Sequence, residues 1–367
     1  MAEVSNRELN RWTLARQHLL DRVPLDVVSA VEALAGMQAQ HSPSPYIGLW
    51  SRLAAFERSD LEKALLDGRI VKTTVMRGTL HLVPTHLLNH YRVATGSSYY
   101  DVAFRDLVAA GADLEAVRAV VRAAVGERAL TRREVMSVIA DALGHTRPDW
   151  LELRPSAVAA VSVTTDLVNL PSDAAFGHFG GSHYQVGPDL PPVDPAVARL
   201  EIARAYLAAY GPASKADLSH WSGKAVGAFG DALAALDLVS FRAEDGRTLF
   251  DLASAPRPPA DTPAPVRFLP KWDSVLLAHV RRERIFPEAT RSVVIRKNGD
   301  VLPTFLVDGM VAGWWDAPRR GKAVLTLTPL VKVPARGRRE VEAEGLRLLR
   351  WLRPDREEHQ VTWAEPT

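Results

Sequence analysis

Apolar positions follow helical spacing through the start of the chain and then give way to β-branched residues. Residues 9–20 and 46–56 carry apolar side chains at intervals of three and four, which predicts amphipathic helices. Residues 70–83 are instead rich in valine and threonine and predict two strands joined by a turn. Helices followed by a two-stranded ribbon indicate a winged helix-turn-helix unit.

The same succession of helices and a ribbon recurs twice further along the chain. The second copy is predicted from helices at 116–125, 131–143 and 157–161 and a ribbon over 168–186. The third is predicted from helices at 197–210, 214–221 and 226–236 and a ribbon over 238–250. Thr131 with Glu134, and Ser214 with Asp217, have the spacing of capping boxes. The three units form a repeat of structure rather than of obvious sequence.

A proline-rich segment at 255–265 predicts a linker, and the period changes to two beyond it. Short strands are predicted at 275–277, 292–295, 304–307 and 323–327, and a final helix at 338–352. Asn298-Gly299 and Asp308-Gly309 are hairpin turn signals. We therefore predict an α+β protein with three tandem winged helices and a C-terminal antiparallel β-barrel. The predicted domain bounds are 1–105, 106–192, 193–254 and 264–367.

Composition narrows the class of protein without identifying it. The 367 residues are 47% hydrophobic and 24% charged, with a formal net charge of only +2, so a nucleic-acid surface would require local clusters of basic residues. The absence of cysteine excludes disulfides, thiolate-held iron–sulfur clusters and Cys-ligated zinc. The polar start and the lack of long apolar runs predict a cytoplasmic protein with no membrane partner.

The most informative stretch is residues 36–43, which comes after an apolar helical run. Gln38 and Gln40 are two residues apart, so in an extended backbone their side chains point the same way. Carboxamides offer both donors and acceptors and do not ionise near neutral pH. The pair could hold and orient a water molecule, or the segment could be a helix-ending loop with two solvated glutamines.

Basic residues cluster around the predicted C-terminal sheet. The clusters are Arg281, Arg282 and Arg284; Arg291, Arg296 and Lys297; Arg319, Arg320 and Lys322; and Arg336, Arg338 and Arg339. Each run by itself is typical of a solvated surface. Several runs near one sheet favour a face that follows the phosphates of a nucleic acid, and we expect the arginine-rich hairpins to enter a groove.

Three stretches together resemble one family. They are Met37-Gln38-Ala39-Gln40-His41-Ser42-Pro43, Met76-Arg77-Gly78-Thr79-Leu80-His81-Leu82, and the pair formed by residues 268–277 and 307–315. In this order the chain resembles the tandem winged-helix DNA glycosylases of the AlkZ and YcaQ type, over about residues 9–315. Gln38-Ala39-Gln40 matches the all-glutamine branch, which resembles self-resistance enzymes of antibiotic producers. The resemblance implies three winged helices and a β-barrel around an open, C-shaped DNA cleft.

The resemblance also implies an activity and its residues. We expect a monofunctional DNA glycosylase, without cofactor or metal, that hydrolyses the N-glycosidic bond of bulky N7-alkylguanines or unhooks interstrand crosslinks. Gln38 and Gln40 are the expected catalytic residues. The expected DNA contacts are His41, Pro43, Arg77, His81, Lys271, Arg281 and Arg282. The expected partner is double-stranded DNA that carries the lesion. We expect the protein to be a nucleoid-associated monomer. It should leave the lesion in the duplex and use no aromatic wedge.

Several alternatives remain open from the sequence. Three winged helices by themselves are commoner in non-enzymatic transcriptional regulators, which would prefer particular undamaged sequences. His81 could contact the lesion-bearing strand or be a structural, hydrogen-bonded histidine. His178 and His183 invite a metal site, although a glycine-rich turn explains them better. Of Trp314 and Trp315, one is expected to lie in the barrel core and the other could stack on a base.

Overall fold

A computed structural model describes residues 1–96, 113–142, 166–287 and 290–365. The α helices of these ranges are α1 (Asn6–Arg16), α2 (Val27–Ala33), α3 (Pro43–Arg52), α4 (Arg58–Leu66), α5 (Leu88–Thr95), α6 (Leu114–Glu127), α7 (Arg132–Ala142), α8 (Pro195–Tyr210), α9 (Lys215–Ser222), α10 (Gly230–Ala234), α11 (Arg291–Val294) and α12 (Ala335–Leu352). The helix predicted at 157–161 lies outside the described residues.

The strands of the described residues form four sheets. In chain order they are β1 (Ala2–Val4), β2 (Met37–Gln38), β3 (Ile70–Thr74), β4 (Leu80–Pro84), β5 (Leu130–Thr131), β6 (Leu167–Asn169), β7 (His183–Val186), β8 (Leu238–Ala243), β9 (Thr248–Leu252), β10 (Arg267–Leu269), β11 (Thr304–Val307), β12 (Met310–Asp316), β13 (Ala323–Pro329) and β14 (His359–Trp363). The sheet orders are β2-β4-β3, β5-β7-β6, β1-β8-β9 and β10-β11-β12-β13-β14.

The predicted ribbons are confirmed as strand pairs, and each gains a third strand from elsewhere. In the first two sheets this strand has two residues, β2 or β5, and comes from the loop ahead of a helix. In the third sheet it is β1, which pairs in parallel with β8, so the N-terminus joins the ribbon at 238–252. The number of winged-helix units and their bounds stay predictions.

The prediction of a C-terminal antiparallel barrel is wrong in two respects. The five described strands form an open order with β10 and β14 at its ends, and β13 pairs with β14 in parallel. Two of the predicted strands are helical: Ser274–Leu276 forms a 3-10 turn and Arg291–Val294 is α11. Both carry buried residues that pack into a core of neighbouring elements, so their alternation does not mark a sheet.

Turn and cap signals are mostly confirmed. Asp308 and Gly309, with φ of 48° and 77°, join β11 to β12 as predicted. Thr131 and Glu134 bond reciprocally across the start of α7. A further box opens α4, where Glu57 is the N-cap and bonds reciprocally with Asp60.

One hydrophobic core joins the first helices to the C-terminal sheet. Tyr46 and Trp50 of α3 are buried in the same cluster as Phe268, Phe305 and Trp315 of the sheet. This shared core holds the loop after β10 beside the glutamine segment. Within the described residues, no helix combines the length and apolar character that a membrane span needs.

Candidate active site

The glutamine pair lies at the edge of the first sheet. Gln38 ends β2 and is opposite His81 of β4, and the Ala39 amide donates to the Leu80 carbonyl at 2.7 Å. The extended backbone brings the two carboxamides together, so that Gln38 Nε2 donates to Gln40 Oε1 at 2.6 Å. Gln38 is buried, whereas Gln40 is exposed. The inner amide is therefore held in place and the outer one faces solvent.

Arg77 fixes the orientation of the inner amide. Its Nη2 donates to Gln38 Oε1 at 3.3 Å, and its Nη1 donates to the Trp221 carbonyl at 2.6 Å near the end of α9. The residue sits at φ 54° in the turn between β3 and β4. Gly223 makes this approach possible, since a Cβ there would lie 3.0 Å from the Arg77 backbone. Arg77 thus connects the glutamine pair to the end of α9.

His81 is almost completely buried, and only 1% of its surface is exposed. Its Nδ1 lies 2.9 Å from the Thr79 carbonyl. Burial, together with the positive charge of Arg77, lowers its pKa to about 3, so the ring is neutral at physiological pH. This placement favours the structural alternative for His81, because a buried ring cannot touch a phosphate.

His41 and Pro43 lead from the glutamine pair into α3. Pro43 is the first residue of the helix, a position that tolerates the missing N–H of proline. His41 Nδ1 lies 3.1 Å from Ser44 Oγ. Burial, and then the charges of Lys271 and Arg319, lower the pKa of His41 to about 4. The imidazole is therefore neutral at pH 7 and can donate and accept hydrogen bonds.

Lys271 is positioned by a buried ion pair that the sequence did not reveal. Arg52 of α3 binds both carboxylate oxygens of Asp273 at 2.8 and 2.9 Å, with both side chains almost fully buried. Lys271, two residues earlier, pairs with Asp300 at 2.8 Å. A cavity of about 20 Å³ lies between this loop and Gln38, and a volume of roughly 15 Å³ already admits one water molecule. The only sequence signal for this arrangement is the motif at 268–277.

The predicted basic surface is divided between exposed and buried arginines. Arg281 is exposed, but Arg282 is buried with its Nη2 3.2 Å from His220 Nε2. Arg284 is also buried and donates to the Pro212 carbonyl at 3.0 Å. These residues lie in the loop before α11 rather than in a hairpin of the sheet. The predicted hairpin location is wrong for this cluster, and the DNA contact expected of the buried Arg282 stays a prediction.

His178 and His183 each lie beside a hydrogen-bonding partner. His183 Nδ1 lies 3.2 Å from Asp173 Oδ1, and His178 Nε2 lies 3.2 Å from the Gly181 carbonyl. Among the described residues, no group of three or more histidine, cysteine, aspartate or glutamate side chains could hold a metal ion. Trp315 is buried and donates to the Leu269 carbonyl at 3.0 Å, while Trp314 is partly exposed.

Comparison with known proteins gives consistent matches over nearly the whole chain. The family model described as "DNA glycosylase AlkZ-like" matches residues 31–351. An interstrand DNA cross-link repair glycosylase of Streptomyces sahachiroi is 26% identical over 373 residues, which cover 95% of this chain and 96% of that protein. The solved structure of the Streptomyces sahachiroi DNA glycosylase AlkZ aligns with a TM-score of 0.76 at 22% identity, over 99% of this chain and 100% of that one.

Proposed function

This chain belongs to the AlkZ-like DNA glycosylase family, and we propose that it excises guanines carrying bulky N7-alkyl groups, including those in interstrand crosslinks. The observation that carries the proposal is the chain of hydrogen bonds from Arg77 through Gln38 to Gln40. It presents uncharged amides, fixed in orientation, where other glycosidases use a pair of carboxyl groups.

Uncharged amides suit this substrate because of the leaving group. Alkylation at N7 places a positive charge on the purine, so cleavage of the N-glycosidic bond expels a neutral base. The departing base therefore needs no general acid. What remains is to place a water molecule against the anomeric carbon and to stabilise the oxocarbenium-like sugar with fixed dipoles. An unmodified purine is a poor leaving group and is spared.

Each of the three hydrogen-bonded side chains then has a role. Arg77 donates to Gln38 Oε1 and so directs Gln38 Nε2 at Gln40 Oε1. The second lone pair of Gln40 Oε1 is available to accept a hydrogen bond from the attacking water, and its exposed side chain faces the solvent from which DNA would bind. Successive hydrogen bonds polarise one another, so the guanidinium orients both amides.

Both the crosslink substrate and a self-resistance role are proposals for this chain. The name of the Streptomyces sahachiroi relative, an interstrand DNA cross-link repair glycosylase, supports the first. The all-glutamine motif, which resembles self-resistance enzymes, supports the second. Expression in a sensitive bacterium should raise survival after treatment with a bifunctional N7-alkylating agent, and equal survival with the Gln38→Ala, Gln40→Ala variant would reject both.

The proposed catalytic roles are tested by single-turnover excision of 7-methylguanine from a defined duplex. The Gln38→Ala, Gln40→Ala variant should be slower by at least about a hundredfold, which is about 2.7 kcal/mol of transition-state stabilisation. The matched control is Gln360→Ala, because this exposed glutamine lies on β14. A near-wild-type rate in the double variant would end the proposal.

The alternative of a transcriptional regulator predicts a different binding behaviour. A regulator discriminates strongly between undamaged sequences, whereas this glycosylase should show little sequence preference and a strong dependence on salt. We propose that exposed cations such as Arg281 contact the phosphates. Arg281→Glu should weaken binding to undamaged duplex and reduce its salt dependence, and an unchanged salt dependence would exclude that contact.

A further inference from the structure

A second cavity opens beside the residues that follow the glutamine pair in the chain. It has a volume of about 560 Å³, within the range of roughly 300–1,000 Å³ typical of small-molecule sites. His41, the residue after Gln40 in the chain, and Pro43 form one wall. Lys271 lines both this cavity and the small one beside Gln38. The larger cavity therefore lies within reach of a substrate that is held at the glutamines.

The cavity has an aromatic and aliphatic lining with charges at its edge. Phe176, Phe179, Ile47 and Trp315 contribute to it. Phe176 is held by the Arg58 guanidinium, 3.8 Å from its ring centre, and by edge-on contact with Tyr46. The inner part of the lining is thus a fixed surface rather than a loose loop.

Phe179 lines this cavity and leaves much of its aromatic ring exposed to solvent. Among the large apolar side chains that the described residues leave exposed, it is the single aromatic one, at 44% exposure. The Arg319 guanidinium lies 3.1 Å from its ring centre, and the His41 ring lies 6.0 Å away. An exposed ring with a cation on one side is suited to stack a planar group on its remaining free surface.

The chemistry of the lesion determines which group would reach this place. The N7 atom of guanine faces the major groove, so a substituent on N7 projects out of the base stack and away from the sugar. A protein that delivers water to the sugar must accommodate that substituent on an adjacent surface. A cavity that begins one residue after Gln40 is in the required position.

From this arrangement we propose that the cavity between His41, Phe179 and Trp315 receives the planar aromatic part of the N7 substituent, stacked on Phe179. The inference rests on the proposed function and deepens it. The site selects lesions by the group attached to the base, while the glutamines act on the glycosidic bond. Substrates with an aromatic group one or two bonds from N7 are therefore preferred over lesions that carry only a methyl group.

The test compares two duplexes of one sequence, one with 7-(2-naphthylmethyl)guanine and one with 7-methylguanine. Single-turnover efficiency is measured for wild type and for Phe179→Ala, which removes an exposed side chain and should not affect folding. Phe179→Ala should lower the efficiency on the naphthylmethyl lesion about tenfold more than on the methyl lesion, the loss expected for one stacking contact. Leu66→Ala, at a position that is 73% exposed and outside the cavity lining, is the matched control.

A third duplex with 7-(cyclohexylmethyl)guanine separates stacking from simple apolar contact. The proposal requires that Phe179→Ala affects this lesion less than the naphthylmethyl one, and an equal effect overturns the aromatic preference. An unchanged ratio between naphthylmethyl and methyl lesions overturns the whole inference. If the wild type excises neither lesion, the proposed function itself has failed. If it excises both and Phe179→Ala leaves the ratio unchanged, only the cavity assignment has failed.

A binding measurement provides a readout that does not depend on cleavage. In the Gln38→Ala, Gln40→Ala background the naphthyl fluorescence of the intact lesion should change on binding, because the group leaves water for the cavity. Adding Phe179→Ala should abolish that change and weaken the affinity for the naphthylmethyl duplex. A fluorescence change that persists without Phe179 would show that the group binds elsewhere and would overturn the proposal.

Discussion

The first and second sheets of this protein share one geometry and use it differently. In the first, Gln38 of a two-residue strand is opposite His81 of the second ribbon strand. In the second, Thr131 occupies the matching place opposite His183. A third instance exists without a full strand, since Ala213 bridges to Phe250 just ahead of α9. The same local pairing therefore precedes three helices.

The two sheets differ in the residues that come after the pairing. Thr131 goes directly into α7 and caps it with Glu134, and Ser214 caps α9 with Asp217 in the same way. After Gln38 the chain instead continues through Ala39–Ser42 before α3, and Ser42 makes no side-chain cap. The second and third instances use the position for helix stability, and the first inserts four residues there, of which Gln40 faces the solvent.

The histidines opposite these positions differ in the same direction. His81 has 1% of its surface exposed and is held neutral, whereas the side chain of His183 is 39% exposed beside Asp173. A buried neutral partner gives Gln38 a rigid neighbour without adding a charge. The placement of the glutamines therefore depends on two features. Helix α3 begins later after the strand pairing than α7 does, and the sheet below the glutamines is tightly packed.

Among the variants that test this comparison between the two sheets, Arg77→Met is expected to have the largest effect, on the rate of excision. Without the guanidinium, Gln38 can turn over and break its bond to Gln40, so excision of 7-methylguanine should slow about thirtyfold, or about 2 kcal/mol. DNA affinity, measured separately, should change little. The control is Arg128→Met in the second unit, where Arg128 pairs with Glu134 at the surface.

The sequence placed Arg77 among the DNA contacts, and the same measurement decides between the two roles. Weaker binding at all sequences with an unchanged excision rate would make Arg77 a phosphate contact. It would also remove the positioning role that the hydrogen bond to Gln38 suggests.

A smaller effect is expected from the buried His81, which should make the free energy of unfolding depend on pH. The pKa of His81 is about 3 in the folded protein, against a reference value of 6.5, so the unfolded chain takes up the proton first as pH falls. The contribution of His81 to the free energy of unfolding is therefore present above pH 6.5 and decreases as the pH falls below that value. For this residue the loss of unfolding free energy between pH 7.5 and 5.5 is about 1.4 kcal/mol.

His81→Leu should remove that part of the pH dependence, as measured by denaturant unfolding at both pH values. His183→Leu is the control, because the matching histidine of the second sheet is partly exposed. An identical pH dependence in wild type and His81→Leu would contradict the neutral, buried state of His81.

The smallest effect is expected at the helix caps of the other two units. Thr131→Ala should lower the unfolding free energy by about 1 kcal/mol, because the first turn of α7 loses its side-chain acceptor. The rate of 7-methylguanine excision should stay at the wild-type value, since the position carries no amide toward DNA. A large loss of excision at unchanged stability would show that the second unit also takes part in the chemistry.

Sequence alone determined the features that depend on neighbouring residues. The helix at 195–210, the turn at Asp308-Gly309 and the cap at Thr131 arise from local periodicity and from side chains that bond within a few residues. The spacing of Gln38 and Gln40 likewise predicted two amides on one side of an extended segment. The joint match of the motifs was enough to identify the family.

Only the tertiary structure decided which charged and apolar residues face inward. Arg282 belongs to a basic run that suggested a surface, and it is buried against His220. The bond from Arg77 to Trp221 and the pair between Arg52 and Asp273 join residues more than a hundred positions apart. No local pattern encodes such contacts, because they form only when separate elements pack and exclude water from the groups between them.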